Sequence, residues 1–147
     1  MKQTLVLFAV LALFSGSALA QKKPTPKTKT APAAALGGSV LKGKSIYAQN
    51  CLSCHQADGL GVDGMNPPLS KTSYVLGDKA RLVNVLLHGM QGQEVDGERY
   101  ANVMAAHDFL TDQQIADVLT YVRSSFGNKA TAVTMTEVKV VRAAAKK

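Results

Sequence analysis

Regular apolar patterning is confined to a few stretches of the chain, and glycine, proline and polar residues break it up between them. Val40, Leu41, Ile46 and Tyr47 recur at helical spacing behind Ser39, a residue suited to capping a helix. Ala80, Leu82, Val83, Val85, Leu86 and Leu87 follow a cap at Asp78, and Gly89 is placed to end that helix. Ile115, Val118, Leu119, Val122 and Phe126 follow Thr111, which forms a capping box with Gln114, and Gly127 occupies the expected C-cap. A short further helix after Thr134, with Glu137 in the box position and Val138 and Val141 apolar, follows the same logic. The stretch from Gly59 through Gly61 and Gly64 to Met65-Asn66-Pro67-Pro68-Leu69 cannot hold a strand and predicts a loop around a cofactor edge. A second loop is expected from Gln91 to Leu110, containing Tyr100-Ala101-Asn102-Val103-Met104. The pattern predicts an all-α domain.

The N-terminus is different in kind. Lys2 precedes an unbroken apolar run from Leu5 to Phe14, too short to span a membrane, and Ala18-Leu19-Ala20 ends it with small residues. Residues 1–20 therefore read as a signal peptide that exports the chain, with an uncleaved anchor as the alternative. No cysteine follows the run, which argues against a lipoprotein anchor. Residues 21–38, rich in Lys, Pro, Thr and Ala, cannot bury apolar surface and predict a disordered tether. The folded domain is expected over residues 39–128, followed by a basic extension over 129–147. Neither an internal repeat nor a second cysteine pair occurs in the 147 residues.

Division of the charge alters its meaning. The chain is +7 overall, yet residues 39–128 hold seven basic and nine acidic side chains. The pI of about 9.5 thus belongs to the two ends. Such tails suit anionic lipid headgroups or an acidic partner, or they serve only solubility. A mildly acidic centre in an exported chain speaks against nucleic acid as a partner.

The chemistry is concentrated in Cys51-Leu52-Ser53-Cys54-His55. Cysteines three apart lie on one face of a helical turn, so both sulfurs can add to the vinyl groups of one porphyrin edge. The histidine that follows then offers an imidazole nitrogen to the iron. The spacing is that of a c-type haem attachment site. A structural zinc site would need two more ligands of the same kind. A redox dithiol would need strands and crossover helices around it. A simple disulfide would leave the histidine without a role.

Over about Val40 to Asn128 these features together resemble a class I c-type cytochrome of the bacterial, periplasmic, single-haem kind. The resemblance implies a small all-α cytochrome c fold, three to five helices wrapped around one covalently bound haem c. It implies that Gly43 and Tyr47 of the first helix meet Tyr121 of the last. It places His55 and Met104 as the axial iron ligands and the Pro67 carbonyl as the acceptor of the second His55 N–H. Ala105 departs from the proline that many relatives carry after the ligand methionine. Met65 lies too close behind His55 to reach the other haem face, Met90 fits a gap-filling role, and Met135 falls beyond the domain. His107 is either a solvent-facing loop histidine, the reading that loop position favours, or a nearby competitor for the iron, and His88 suits the C-terminus of its helix. Tyr100 and Asn102 are candidates to bond the methionine sulfur or line the haem edge. The implied function is electron transfer by a monomer, with a dehydrogenase or terminal oxidase as redox partner. An open-iron enzyme or gas sensor, or a cytochrome subunit of a larger complex, is the alternative.

Overall fold

The structure is a computed structural model that describes residues 33–145, with side chains from Leu36 onward. The expected signal peptide and residues 21–32 of the expected tether lie outside the described residues. Among these, six helices and one small hairpin make up the fold: α1 (Ala33–Asn50), α2 (Leu52–His55), α3 (Ser73–Leu76), α4 (Lys79–His88), β1 (Glu94–Val95), β2 (Glu98–Arg99), α5 (Asp112–Ser124) and α6 (Met135–Ala144). None of the described helices is long and apolar enough to cross a membrane.

The frame is the crossing of α1 and α5. At Gly43 a Cβ would lie 2.0 Å from the carbonyl oxygen of Asp117 and 2.7 Å from the Cβ of Tyr121, so only hydrogen fits between the two backbones. One turn on, the ring of Tyr47 meets Tyr121 at 5.4 Å and Phe126 at 5.3 Å, and those two meet edge-on at 5.6 Å. The expected Gly43–Tyr47–Tyr121 contact is present, with Phe126 as an unanticipated third ring. Offset aromatic packing of this kind adds to the area each ring buries.

Helix starts follow their expected caps in three of four cases, α6 among them. The Asp78 carboxylate accepts from Arg81 N at 2.6 Å to open α4, and the Thr111–Gln114 box opens α5. The first helix does not start at Ser39. It already runs from Ala33, because Ala33-Ala34-Ala35-Leu36 are strong helix formers, and residues 33–38 of the expected tether are therefore helical. Ser39 instead donates its hydroxyl across the interface to the carboxylate of the buried Asp117. At the far end α5 stops at Ser124, before the expected Gly127 cap, although Gly127 keeps a left-handed φ of +78°.

Three elements were not expected, the four-residue α3 and the two strands. β1 and β2 pair antiparallel around Asp96-Gly97, with φ of +53° and +90°, the left-handed pair that a tight two-residue hairpin turn demands. The Asp96 carboxylate accepts from Ser73 N at 3.0 Å and so ties this hairpin to the start of α3.

The basic extension is folded against the body rather than trailing from it. α6 opens on a Thr134–Glu137 capping box and packs on α4 and α5, with Val138 fully buried. Thr120 Oγ1 both donates to and accepts from the Val133 backbone at 3.1 Å. Lys79 bonds Ala132 O at 2.5 Å and pairs with Glu137 at 3.0 Å, and Arg142 pairs with Asp112 at 2.6 Å. Arg123, buried inside α5, donates to the carbonyls of Val75, Gly77 and Thr131.

Candidate functional site

The motif forms where α1 gives way to α2. Cys51 N bonds Tyr47 O at 2.9 Å and His55 N bonds Cys51 O at 2.9 Å, so one helical register carries the chain through both cysteines to the histidine. Cys51 lines a partly open apolar cavity of about 730 Å³, counted out to its mouth, whereas Cys54 is exposed at the surface. Burial, and then the neighbouring Cys54, push the Cys51 thiol up to about 11. A redox dithiol depends on a lowered thiol pKa, and the surroundings of Cys51 act in the opposite direction. Among the described residues no three His, Cys, Asp or Glu side chains converge to hold a metal ion, which leaves the zinc alternative without a ligand set.

His55 is buried, and its Nδ1 lies 3.0 Å from the carbonyl oxygen of Pro67. A carbonyl can only accept, so Nδ1 carries the proton and donates, and Nε2 is left with its lone pair. Burial holds the His55 pKa below its ordinary value; the Pro67 bond works against that shift and the charge of His107 adds to it. The ring is therefore neutral and fixed in orientation. The 56–69 loop delivers the carbonyl by folding back on the motif, with Gly61 N on His55 O at 3.1 Å and Leu69 N on Gly59 O at 2.7 Å.

Met104 lines the same cavity as His55 and Cys51. It is held there by Met90: each backbone N–H donates to the other's carbonyl at 2.9 Å. Gly89, at φ +73°, permits this approach, since a Cβ on it would lie 2.3 Å from Met104 O. Met90 itself also lines the cavity, so it is more than a gap-filler at the end of α4. Met65 and Met135 are both about half exposed and lie outside the lining. Pro67, Pro68 and Leu69 contribute one stretch of wall, Val85 and Leu86 of α4 another, and Val118, Leu119 and Val122 of α5 a third. Almost all lining atoms are apolar.

Several lining residues escaped the sequence reading. Tyr74 and Val75 come from α3, too short for any periodicity to show, and Val95 from the hairpin. The Asp96-Gly97 dipeptide was the available signal for that hairpin. Conversely, Tyr100 and Asn102 do not line the cavity. Asn102 faces outward, its amide donating to Asn66 Oδ1 at 3.2 Å.

These residues fit a covalently held porphyrin in donor chemistry and in shape. One thiol opens onto an apolar slot, a second stands at the adjoining surface, and an oriented neutral imidazole shares the lining with a thioether. Comparison with known proteins points the same way. The family described as Cytochrome c matches residues 40–126. Cytochrome c-552 of Thermus thermophilus is 42% identical over 101 residues, covering 63% of this chain and 68% of that one. The cytochrome c subunit of the quinone alcohol dehydrogenase of Gluconobacter oxydans is 35% identical over 96 residues, 64% of this chain but 20% of that subunit. The cbb3-type cytochrome c oxidase subunit FixP of Azorhizobium caulinodans is 32% identical over 87 residues, 58% of this chain and 29% of that one.

Proposed function

The chain belongs to the cytochrome c family, and on that premise we propose that it is a single-electron carrier with one covalently attached haem c. His55 and Met104 are its axial ligands, and Cys51 and Cys54 form the thioethers. The observation that carries this reading is the sharing of one apolar cavity by Cys51, Met104 and a His55 whose only free nitrogen is Nε2. When bound, the haem supplies an iron that alternates between ferric and ferrous states.

The protein side of the chemistry follows from the lining. The Pro67 carbonyl orients His55 and makes it a better donor. The Met104 thioether favours the ferrous state and so raises the reduction potential, and the apolar walls act in the same direction by keeping water out. With both axial positions taken by side chains, no position is left for a substrate, which is why the carrier reading stands above an enzyme or gas sensor. Cys54 lies at the surface, so a porphyrin edge held there is reachable by a partner protein.

The partner is a periplasmic dehydrogenase or a terminal oxidase, met through a small and brief contact. The cytochrome subunits of the dehydrogenase and oxidase relatives support that class of partner. Export to the periplasm is supported by the leader-like residues 1–20.

Visible spectra of the exported protein, oxidised, reduced, and reduced under carbon monoxide, test the proposal. A low-spin c-type spectrum with the weak long-wavelength methionine-to-iron band, unmoved by the gas, is expected. In Met104→Ala that band should vanish and the potential should fall while haem stays covalently attached. A retained band would remove Met104 from the iron.

A further inference from the structure

We propose that His107 is a reserve axial ligand: when the Met104 sulfur is absent or displaced, Nε2 of His107 takes the sixth position and keeps it closed. The inference rests on the His55 and Met104 assignment and concerns what the chain does when one of those ligands leaves.

The chain has three histidines. His88 is exposed on α4 and lines a neighbouring surface groove with Arg81, Asn84 and Gln93, not the apolar cavity. His55 and His107 are the two that line the apolar cavity. Nδ1 of His107 lies 3.0 Å from the carbonyl oxygen of Ala105, and since a carbonyl only accepts, Nδ1 holds the proton and Nε2 the lone pair. This repeats the arrangement by which Pro67 prepares His55. A ring oriented through one nitrogen, with the other free, is the form in which imidazole binds a metal.

The position of His107 is also independent of Met104. Its backbone N–H donates to Leu86 O at 2.6 Å, so α4 holds it at a point where that helix itself lines the cavity. Its ring rests on Phe109 at 5.7 Å. Met104 has a different anchor, the two bonds to Met90. Between the two anchors lie only Ala105 and Ala106, both exposed and neither restricted in φ as proline would be. Loss of the methionine side chain therefore leaves His107 in place, with a short and adaptable connection that lets its ring advance. The exchange needs no electron: one iron–sulfur bond breaks and one iron–nitrogen bond forms, at the ring nitrogen that the Ala105 bond leaves free. Its consequence is protective, because a filled sixth position denies the iron to small ligands after the methionine is lost.

The test uses holo-protein carrying covalent haem, comparing Met104→Ala, Met104→Ala/His107→Ala and Met104→Ala/His88→Ala by visible and electron paramagnetic resonance spectra, with and without carbon monoxide. Met104→Ala is expected to lose the methionine band yet remain low-spin with two nitrogen ligands and resist the gas. Removing His107 as well should convert the iron to high-spin and open it to carbon monoxide, whereas removing His88 should leave the low-spin state. Met104→Ala/His107→Phe, which keeps an aromatic contact for Phe109, replaces the alanine double variant should that one fail to fold. A high-spin Met104→Ala, or a low-spin state that survives loss of His107, would overturn the proposal and leave the Met104 assignment standing. A methionine band that persists in Met104→Ala would overturn that assignment, and the reserve role with it.

Discussion

Gly89 sits where α4 must end and where the Met104 backbone passes it most closely. Its φ of +73° is left-handed, and a Cβ there would lie 2.3 Å from Met104 O and 3.1 Å from the next residue's carbonyl carbon. Gly89→Ala therefore meets backbone on one side and conformational strain on the other, a cost above about 1 kcal/mol. The expected outcome is a lower melting temperature together with a weakened or missing methionine band, while covalent haem is retained. An unchanged band would show that Met104 does not depend on this contact. At this scale the sequence is most informative where chemistry is local. The Cys51-Cys54-His55 spacing stands out in the sequence because the chemistry proposed for it is local, and the structure brings Cys51 and His55 to one cavity. Tyr100 and Asn102 are not legible in this way, because polarity says nothing about whether a loop side chain faces a cavity or, like Asn102 on Asn66, the surface.

α6 shows what an element gains from local and distant contacts together. Burial raises the Glu137 pKa, but hydrogen bonds from Thr134 and Lys79 and the Lys79 charge outweigh it and hold the carboxyl below its ordinary value. A carboxylate with a depressed folded pKa stabilises the fold above the unfolded value near 4.5, and that contribution is lost as pH falls through the folded pKa. Glu137→Gln is accordingly expected to be less stable than the parent at neutral pH. The difference should shrink to nothing in acid, as measured by denaturant midpoints at each pH. Because Glu137 is partly exposed, the neutral-pH difference should be at most about 1 kcal/mol. A difference that does not depend on pH would mean that the capping box and ion pair contribute nothing through charge. The box itself was legible, since Thr134 and Glu137 are three residues apart. The burial of Val138 was not, since it depends on α4 and α5 being brought together elsewhere in the chain.

For the molecule as a whole, charge separates the body from its ends. Residues 39–128 are mildly acidic, whereas residues 21–32 carry four lysines and no acid. A lysine that reaches an anionic bilayer contributes about 1 kcal/mol, and the contribution fades with salt. Removal of residues 21–32 is expected to weaken sedimentation of the mature protein with phosphatidylserine vesicles at low salt and to leave the haem spectrum untouched. Equal binding with and without the segment would assign those lysines to solubility alone.

The sequence by itself determined what short-range chemistry controls: the spacing of Cys51, Cys54 and His55, the caps of α4, α5 and α6, and the small residue at position 43 that a close helix crossing requires. Tertiary structure alone decided which side chains meet in the cavity. Leu86, Met90 and His107 come to one wall, Tyr74 and Val95 enter from elements of four and two residues, and the basic C-terminus becomes a packed helix. The physical reason is range. Caps and periodicity act within a few residues, whereas the closure of the 56–69 and 91–110 loops depends on the apolar surface that the distant helices bury together.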